Sequence, residues 1–514
     1  MSKYCSHGRD GFKILKKCVS NELLELIKSD LTIVVPGIYK HLPPKIFKTY
    51  KSDSKYYYLP LFWALKNISI KPVNVYDNIF SNNSSTVDCN FRFNSLLYMY
   101  QIPMFNNVIE HYIDFNTCLF RDHGSCILNI DTGLGKTMMA MSIASFISQP
   151  VIIVTHTNGI AELWEREIKK HIIGSNVQIF TSGTKIKPET NVLITKVQTL
   201  IKRDYSEIYR KFNFAIFDEL HHYGSAEFSK VLLEINTPYK LGMTATLERR
   251  DGNEKVLRNF LGPIGHKHIE ALDQFVRIQV YRFECLNPLF REIKYGENIQ
   301  FSKMLNNFAE IHERNMLICG IVNKVLTLEP SRQVLVICHR LKQIDSLQLI
   351  LESFPQFKCG TKVGQYVGKE EMKRRGLDVK VAEKKQVILG GYNVMQEGVN
   401  IRTLDTVIIA SAQKGIVQSC GRIFRKLKEE YENEPTIIDI ADQIGVYIGM
   451  ERARLRQYRE KYMKYGTNTI KYYNYSHKTG FKIEFSHELS GKDITAEVEP
   501  KVQRVNINSI FDDE

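Results

Sequence analysis

A chain of 514 residues with 43% hydrophobic and 25% charged residues has the composition of a folded protein, with length for about three or four domains, and not of a disordered or fibrous one. No apolar run approaches the roughly 20 residues of a membrane span, and the opening stretch MSKYCSHGRDGFK lacks the apolar centre of a signal peptide. Lysine and arginine outnumber aspartate and glutamate by 70 to 56, a formal charge of +14, which suits a polyanionic partner such as nucleic acid and also suits a lysine-rich composition set by an A/T-rich genome.

The ten cysteines include no C-x-x-C pair. Neither a zinc site nor a disulfide framework is expected, and the thiols read as reduced in a cytoplasmic setting. Residues 1–94 are mixed and tyrosine-rich, punctuated by Pro36, Pro43, Pro44 and Pro60, and read as an accessory module. From about residue 125 short apolar runs alternate with amphipathic segments. SCILNI, PVIIVT, NVLIT, FAIFDE and YKLGMTAT predict strands buried on both faces, and GIAELWEREIKKH predicts a helix between two of them. This is the pattern of an α/β fold with a parallel sheet. It breaks after Gly252, where VRIQVYRFE reads as an isolated strand and FSKMLNNFAEIHERNMLICGIVNKVL as one long helix. The alternation resumes at RQVLVICH and continues through VGQYVG, KQVILGGY, DTVIIA and PTIIDI.

Two stretches carry chemistry. In NIDTGLGKT, residues 129–137, an apolar strand runs into a Gly-rich turn and then a helix. Such a turn points backbone N–H groups at an anion. Gly133 and Gly135 permit close approach, Lys136 is suited to the outer phosphates of a nucleotide and Thr137 to Mg²⁺. A strict phosphate loop has glycine where this chain has Ile130. Downstream, FNFAIFDELHHYGS ends a strand in Asp218-Glu219. A first carboxylate there can hold Mg²⁺ and a second can activate water. Taken alone, an Asp-Glu pair after a strand also fits a solvated loop.

DELHH followed by LGMTATLERRDG resembles the D-E-x-H box and T-A-T motif of superfamily 2 helicases, in the XPB/UvsW-like branch. VIIVTHTNGIAELWEREI, VLITKVQTL, VLVICHRLKQIDSL, VGQYVGK, MQEGVNIRTLDTVIIA and QSCGRIFR follow the family's further motifs in order, over residues 95–465. Looser likeness in ELLELIKSDLTIVVPGIYKHLPPKIFKTYKSDSKYYYLP and in the tail is similar to helicases of large cytoplasmic DNA viruses, of the African swine fever virus type and the poxvirus transcript-release type.

The resemblance implies two RecA-like lobes using ATP and Mg²⁺. Within it, Gln101 reads adenine and Ile130, Asp131, Thr132, Gly133, Leu134, Gly135, Lys136 and Thr137 form the phosphate loop. Thr137 and Asp218 serve the metal, and Glu219 orients water. His221, Thr244, Thr246 and Gln418 couple the nucleotide to the nucleic acid, while Arg422 and Arg425 reach across as arginine fingers. Thr155, Thr195, Arg249 and Arg250 fall in segments that contact nucleic acid.

The implied domains are 1–94 (an accessory module with nucleic-acid recognition as a candidate role), 95–262 (first lobe), 263–328 (connector), 329–445 (second lobe) and 446–514 (basic helical extension and tail). The expected activity is an ATP-dependent translocase on duplex DNA or transcription complexes in a viral setting, in the host cytoplasm or packaged in the virion. An RNA helicase is the runner-up. A non-hydrolysing clamp would have lost Lys136, Glu219, Arg422 or Arg425, and all four are present. A restriction-type motor would need a nuclease cluster, and none is visible.

Three departures stand out. Arg249-Arg250-Asp251 replaces the branch's R-E-D triplet, Gly390-Gly391 stands where a small residue and a threonine are usual, and Asn400 stands for aspartate. In the extension, Tyr458, Tyr462 and Tyr465 alternate with arginines and lysines. They fit either a base-stacking surface or a helix that packs its tyrosines inward.

Overall fold

The computed structural model describes residues 4–35, 44–68, 73–74, 89–114, 116, 119–121, 123–131, 134–203, 205–245, 247, 254–268, 275–296, 298–357, 362–392, 401, 403–411, 420–424, 430–463 and 468–490. The chain forms two compact units, residues 1–270 and 271–514.

The first unit is built on a seven-stranded sheet in the spatial order 177–180, 192–196, 151–155, 214–217, 239–244, 124–130, 264–268. Every neighbouring pair is parallel. The five central runs predicted as strands are the strands found, and they are buried along almost their whole length. Side chains alternate between the faces. Leu128, Ile153, Ile194 and Ile216 enter one core, while Ile127, Ile152, Leu193 and Phe217 enter the other. Two buried faces need helices on both sides, which the βα alternation supplies. Because the strands are parallel, Ile130, Thr155, Lys196, Phe217 and Thr244 all end at one edge of the sheet, and the loops that follow them gather there.

Strands 5–8, 11–15, 51–52, 56–59 and 73–74 form a small sheet, antiparallel except where 5–8 meets 73–74, and this N-terminal module has its own core of Phe12, Ile14, Ile27, Leu31, Leu59 and Trp63. This module is seated on the first sheet's helices. The Arg9 guanidinium donates to the Phe212 carbonyl at 2.5 Å and to Asn213, Lys51 pairs with Glu234, and Lys255 meets Asp30 at 3.2 Å. Gly262, at φ +81°, lies under the Phe62 ring, where a Cβ would come within 2.4 Å of ring carbon.

The second unit holds an eight-stranded sheet in the order 363–366, 387–391, 334–338, 406–409, 436–442, 277–283, 469–475, 484–490. The final pair is antiparallel and the rest are parallel. The expected boundaries shift here. Within 263–328, strand Ile264–His268 closes the first sheet, whereas Arg277–Phe283 lies deep in the second, between Thr436–Asp442 and Thr469–Tyr475. The strand looked isolated in sequence because both of its partners arrive more than 150 residues later. The long helix is two helices, Phe301–Glu310 and His312–Leu328, broken at the buried, extended Ile311.

The extension is also structural. Helix Gly445–Tyr462 buries Tyr458 and Tyr462, which removes them from any base-stacking surface, and leaves Arg452 and Arg456 in solvent. Tyr465 lies outside the described residues. Arg454, 1% exposed, donates to Asp439, 0% exposed, at 2.7 Å, and the Tyr458 hydroxyl donates to the same carboxylate at 3.1 Å. A second fully buried pair, Arg314 with Asp442, is bidentate at 2.7 and 3.0 Å. Removing one partner of such a pair strands a charge in the core. Arg454→Ala is therefore expected to lower unfolding free energy by about 3–5 kcal/mol, measured by urea denaturation of the full chain. A loss near zero would mean the pair contributes nothing net.

Candidate nucleotide site

At the C-terminal edge of the first sheet, strand Gly124–Ile130 feeds the loop that starts helix Lys136–Ile147. Gly135 is the residue before the helix and sits at φ +79°, a left-handed conformation that costs glycine little. Among the described residues no side chain caps this helix, and its first turn carries no acidic residue, so its leading N–H groups and dipole face the loop. The Lys136 ammonium folds back toward the Ile130 carbonyl at 3.5 Å, and Thr137 is partly exposed in the first turn. Ile130 itself is fully buried, which answers the missing glycine: its side chain belongs to the core and only its carbonyl faces the loop. Asp131 and Leu134 flank the turn, with the Leu134 N–H on the Asp131 carbonyl at 3.5 Å. Thr132 and Gly133 lie outside the described residues.

Gln101 is 2% exposed. Its amide nitrogen donates to the Leu134 carbonyl at 2.9 Å and its amide oxygen accepts from the Tyr98 N–H at 3.0 Å. A Cβ on Gly135 would come 2.4 Å from the Gln101 amide nitrogen. In this structure Gln101 therefore braces the loop, with both ends of its amide engaged by backbone. The neighbouring Tyr98 and Tyr100 rings stack at 5.6 Å and 8°, a feature the sequence patterns did not flag.

Beside the loop, strand Phe214–Phe217 ends in Asp218. The Trp164 indole donates to one Asp218 oxygen at 2.8 Å, and the Glu219 N–H donates to the other at 2.9 Å. Burial, and then the adjacent Glu219 charge, push Asp218 up to about 6, while Trp164 and Lys136 pull the other way. A carboxylate so destabilised gains from an arriving cation. Glu219 sits at φ +47°, ψ 55°, a strained conformation for a side-chain-bearing residue and one often met at functional sites. One Glu219 oxygen is buried and accepts no hydrogen bond among the described residues. It lies 3.4 Å from His221 Nδ1, which also meets the Thr244 hydroxyl at 3.2 Å. The loop lysine, two carboxylates, a histidine and a threonine from three adjacent strand ends thus share one edge.

Two expected nucleic-acid contacts differ. Thr155 and Thr195 are both fully buried. Thr155 donates toward the Thr157 and Thr195 carbonyls at 3.4 Å, and Thr195 donates to the Phe180 carbonyl at 3.2 Å. Their hydroxyls tie strand ends together and are not presented to a ligand. Thr157 is the better-placed residue: its side chain caps the 14-residue helix Asn158–His171 and accepts from the Ile160 N–H at 3.4 Å. Thr246, Arg249, Arg250, Asn400, Gln418 and Arg425 lie outside the described residues, and of Arg422 only the backbone is described, in the 3₁₀ turn Gly421–Ile423. Gly390 and Gly391 close strand Val387–Gly391 of the second unit.

Comparison with known proteins decides the family. Residues 94–249 match the type III restriction enzyme res subunit family, and residues 316–426 match the helicase conserved C-terminal domain. The chain belongs to helicase superfamily 2. This helicase is 29% identical over 443 residues, 84% of its length and 81% of the relative's, to a protein of Acanthamoeba polyphaga mimivirus named as an ATP-dependent RNA helicase. It is 22% identical, over 59% of its length and 75% of the relative's, to the DNA 3'-5' translocase XPB2 of Sulfurisphaera tokodaii. In fold it is similar to a fragment of an HsdR subunit of a type I restriction enzyme from Vibrio vulnificus, with TM-score 0.53, 14% identity, and 77% of this chain and 71% of that one covered. As a member of this superfamily, the helicase hydrolyses ATP.

Trp164 offers a test of the carboxylate's setting. The indole hydrogen bond favours the ionised form of Asp218, so its loss in Trp164→Phe moves the Asp218 pKa further up. If the ionised form is the active one, kcat/KM for ATP falls as pH drops through about 6 in the wild type. In Trp164→Phe that acid limb is expected at higher pH, read from the pH profile. An unmoved limb would assign it to another group.

Proposed function

We propose that the protein is an Mg²⁺-dependent ATPase that moves along duplex DNA and remodels it, or remodels transcription complexes on it. The observation that carries this reading is the set Lys136, Asp218, Glu219, His221 and Thr244 gathered at one sheet edge. The donor chemistry fits Mg²⁺-ATP: an uncapped helix start beside a lysine for phosphates, and a partly exposed Thr137 hydroxyl with a charge-destabilised Asp218 for the cation. Mg²⁺, when bound, neutralises phosphate charge. Lys136 swings from the Ile130 carbonyl to the outer phosphates, and Gln101 keeps the loop shaped for them. Glu219 orients the attacking water and accepts its proton, and His221, 3.4 Å from one Glu219 oxygen, fixes its side chain. The sequence resemblance implies for Arg422 and Arg425, in the Q-x-x-G-R-x-x-R motif, the role of meeting the charge that grows in the transition state.

Duplex DNA is favoured as the track, in keeping with the likeness to XPB2 and to restriction-enzyme subunits. The mimivirus relative's name supports RNA as the second reading. That relative's source is in keeping with a viral setting, and the sequence resemblance implies a place in viral transcription, in the host cytoplasm or carried in the virion. The surplus of 14 positive charges suits backbone binding without base reading.

The experiment is Glu219→Gln. The amide keeps the size of the side chain and loses the base. Mg²⁺-ATP affinity is expected to stay near wild type while kcat falls by orders of magnitude, measured by nucleotide titration and steady-state phosphate release. Turnover near wild type would sink the assignment of Glu219.

A further inference from the structure

The residue that the sequence resemblance assigns to adenine is not placed to read a base. Gln101 is 2% exposed. Its amide nitrogen donates to the Leu134 carbonyl at 2.9 Å and its amide oxygen accepts from the Tyr98 N–H at 3.0 Å, so each end of the amide is engaged by backbone. Gly135 of the loop packs against it, since a Cβ there would stand 2.4 Å from the same nitrogen. The amide retains one N–H and one lone pair, but a residue this buried presents no surface on which a purine edge could reach them. The segment before Gln101 offers an aromatic face instead. The Tyr98 and Tyr100 rings stack at 5.6 Å and 8°. Tyr100 is partly buried and Tyr98 is 44% exposed, so one ring is open to solvent with a second ring behind it. Leu96 and Met99 beside it are exposed as well. Exposed apolar side chains gathered next to a phosphate loop suit the apolar face of a ligand. The hydrogen bonds from Tyr98 to Gln101 and from Gln101 to Leu134 tie this platform to the loop, so the occupant it fits is the base of the nucleotide whose phosphates the loop holds.

We propose that the base is held by stacking on Tyr98 and is not read by Gln101, so that the substrate class is nucleoside triphosphates at large and not ATP alone. Gln101 is then a positioning residue that acts on the phosphates through Leu134 and Gly135. The two chemistries discriminate differently. A site that hydrogen-bonds one base rejects the others by orders of magnitude, because its buried polar groups are left unpaired. Stacking is tolerant, because every base has a π-face. A purine covers more of a tyrosine ring than a pyrimidine does, so a modest purine preference is the selectivity that the platform supplies.

Because this rests on the ATPase reading above, turnover and binding are measured separately. Steady-state phosphate release is followed with Mg²⁺ and each of ATP, GTP, CTP and UTP. Binding is followed by titration calorimetry with tripolyphosphate, which has no base, and with the β,γ-imido analogues of ATP and GTP. The proteins are wild type, Gln101→Met, Gln101→Ala and Tyr98→Ala, each with its thermal midpoint. In the wild type, kcat/KM for the four nucleotides is expected to agree within about tenfold, the span that stacking allows. Gln101→Met keeps the volume of the side chain and loses both hydrogen bonds. It is expected to weaken tripolyphosphate and both analogues by one common factor of about tenfold, the effect of leaving a buried hydrogen-bonding group unpaired. Tyr98→Ala is expected to weaken both analogues by about tenfold and to bind tripolyphosphate as the wild type does. A strict wild-type preference for ATP, or a Gln101→Met loss confined to the adenine analogue, would overturn the proposal. So would a Tyr98→Ala variant that binds the analogues like wild type. If Gln101 only fills space, Gln101→Ala lowers the thermal midpoint and Gln101→Met binds every ligand like wild type, which would also overturn it. A wild type that binds both analogues alike and hydrolyses none of the four nucleotides would overturn the ATPase reading and leave this one standing.

Discussion

The site depends on a carboxylate held where it is uncomfortable. Asp218 ends a fully buried strand, its two oxygens fixed by the Trp164 indole and by the next backbone N–H, with a second carboxylate adjacent. Only the two hydrogen bonds and the nearby Lys136 charge offset the burial. An arriving cation would relieve that charge, in keeping with the use of Mg²⁺-ATP proposed above. The chain turns sharply at Glu219 to bring the second carboxylate and His221 onto the same edge, and the local strain there is offset by the rigid strands on either side.

Much of this was legible in the sequence. The five buried runs of the first sheet and the Gly-Lys-Thr and Asp-Glu stretches are local signals: apolar runs of strand length, and polar groups at the strand ends. What escaped has non-local causes. Strand Arg277–Phe283 carries no mark of the partners that join it from residues 436 and 469 onward. The tyrosines of helix Gly445–Tyr462 fit either a stacking surface or inward packing until Asp439, on a strand before it, is seen to hold Arg454 and Tyr458, which decides for packing. Thr155 and Thr195 fit the motif pattern, but the pattern does not say which way a strand residue faces, and both face inward. Trp164 gave no signal because a tryptophan on a helix's apolar side usually means packing alone, and here its N–H also holds the site carboxylate.

The accessory module and the extension change how the two units are understood. The N-terminal module shares polar and apolar contacts with the helices behind the first sheet, so its removal would expose Phe212 and Gly262 to solvent and leave Glu234 without Lys51. The extension supplies a helix and two strands to the second unit, including Thr469–Tyr475, which pairs with Arg277–Phe283. Neither terminal segment is an appendage. A shortened chain that keeps only the motif-bearing residues 95–445 would lack parts of both cores.

The central claim is that ATP hydrolysis at this site moves the protein along duplex DNA. Displacement of a labelled third strand from a DNA triplex tests that directly, because it reports movement along the duplex without requiring the duplex to open. The account predicts displacement that needs Mg²⁺ and ATP and fails with a non-hydrolysable ATP analogue. Robust ATP hydrolysis with no displacement from DNA, together with ATP-dependent separation of an RNA duplex, would contradict it.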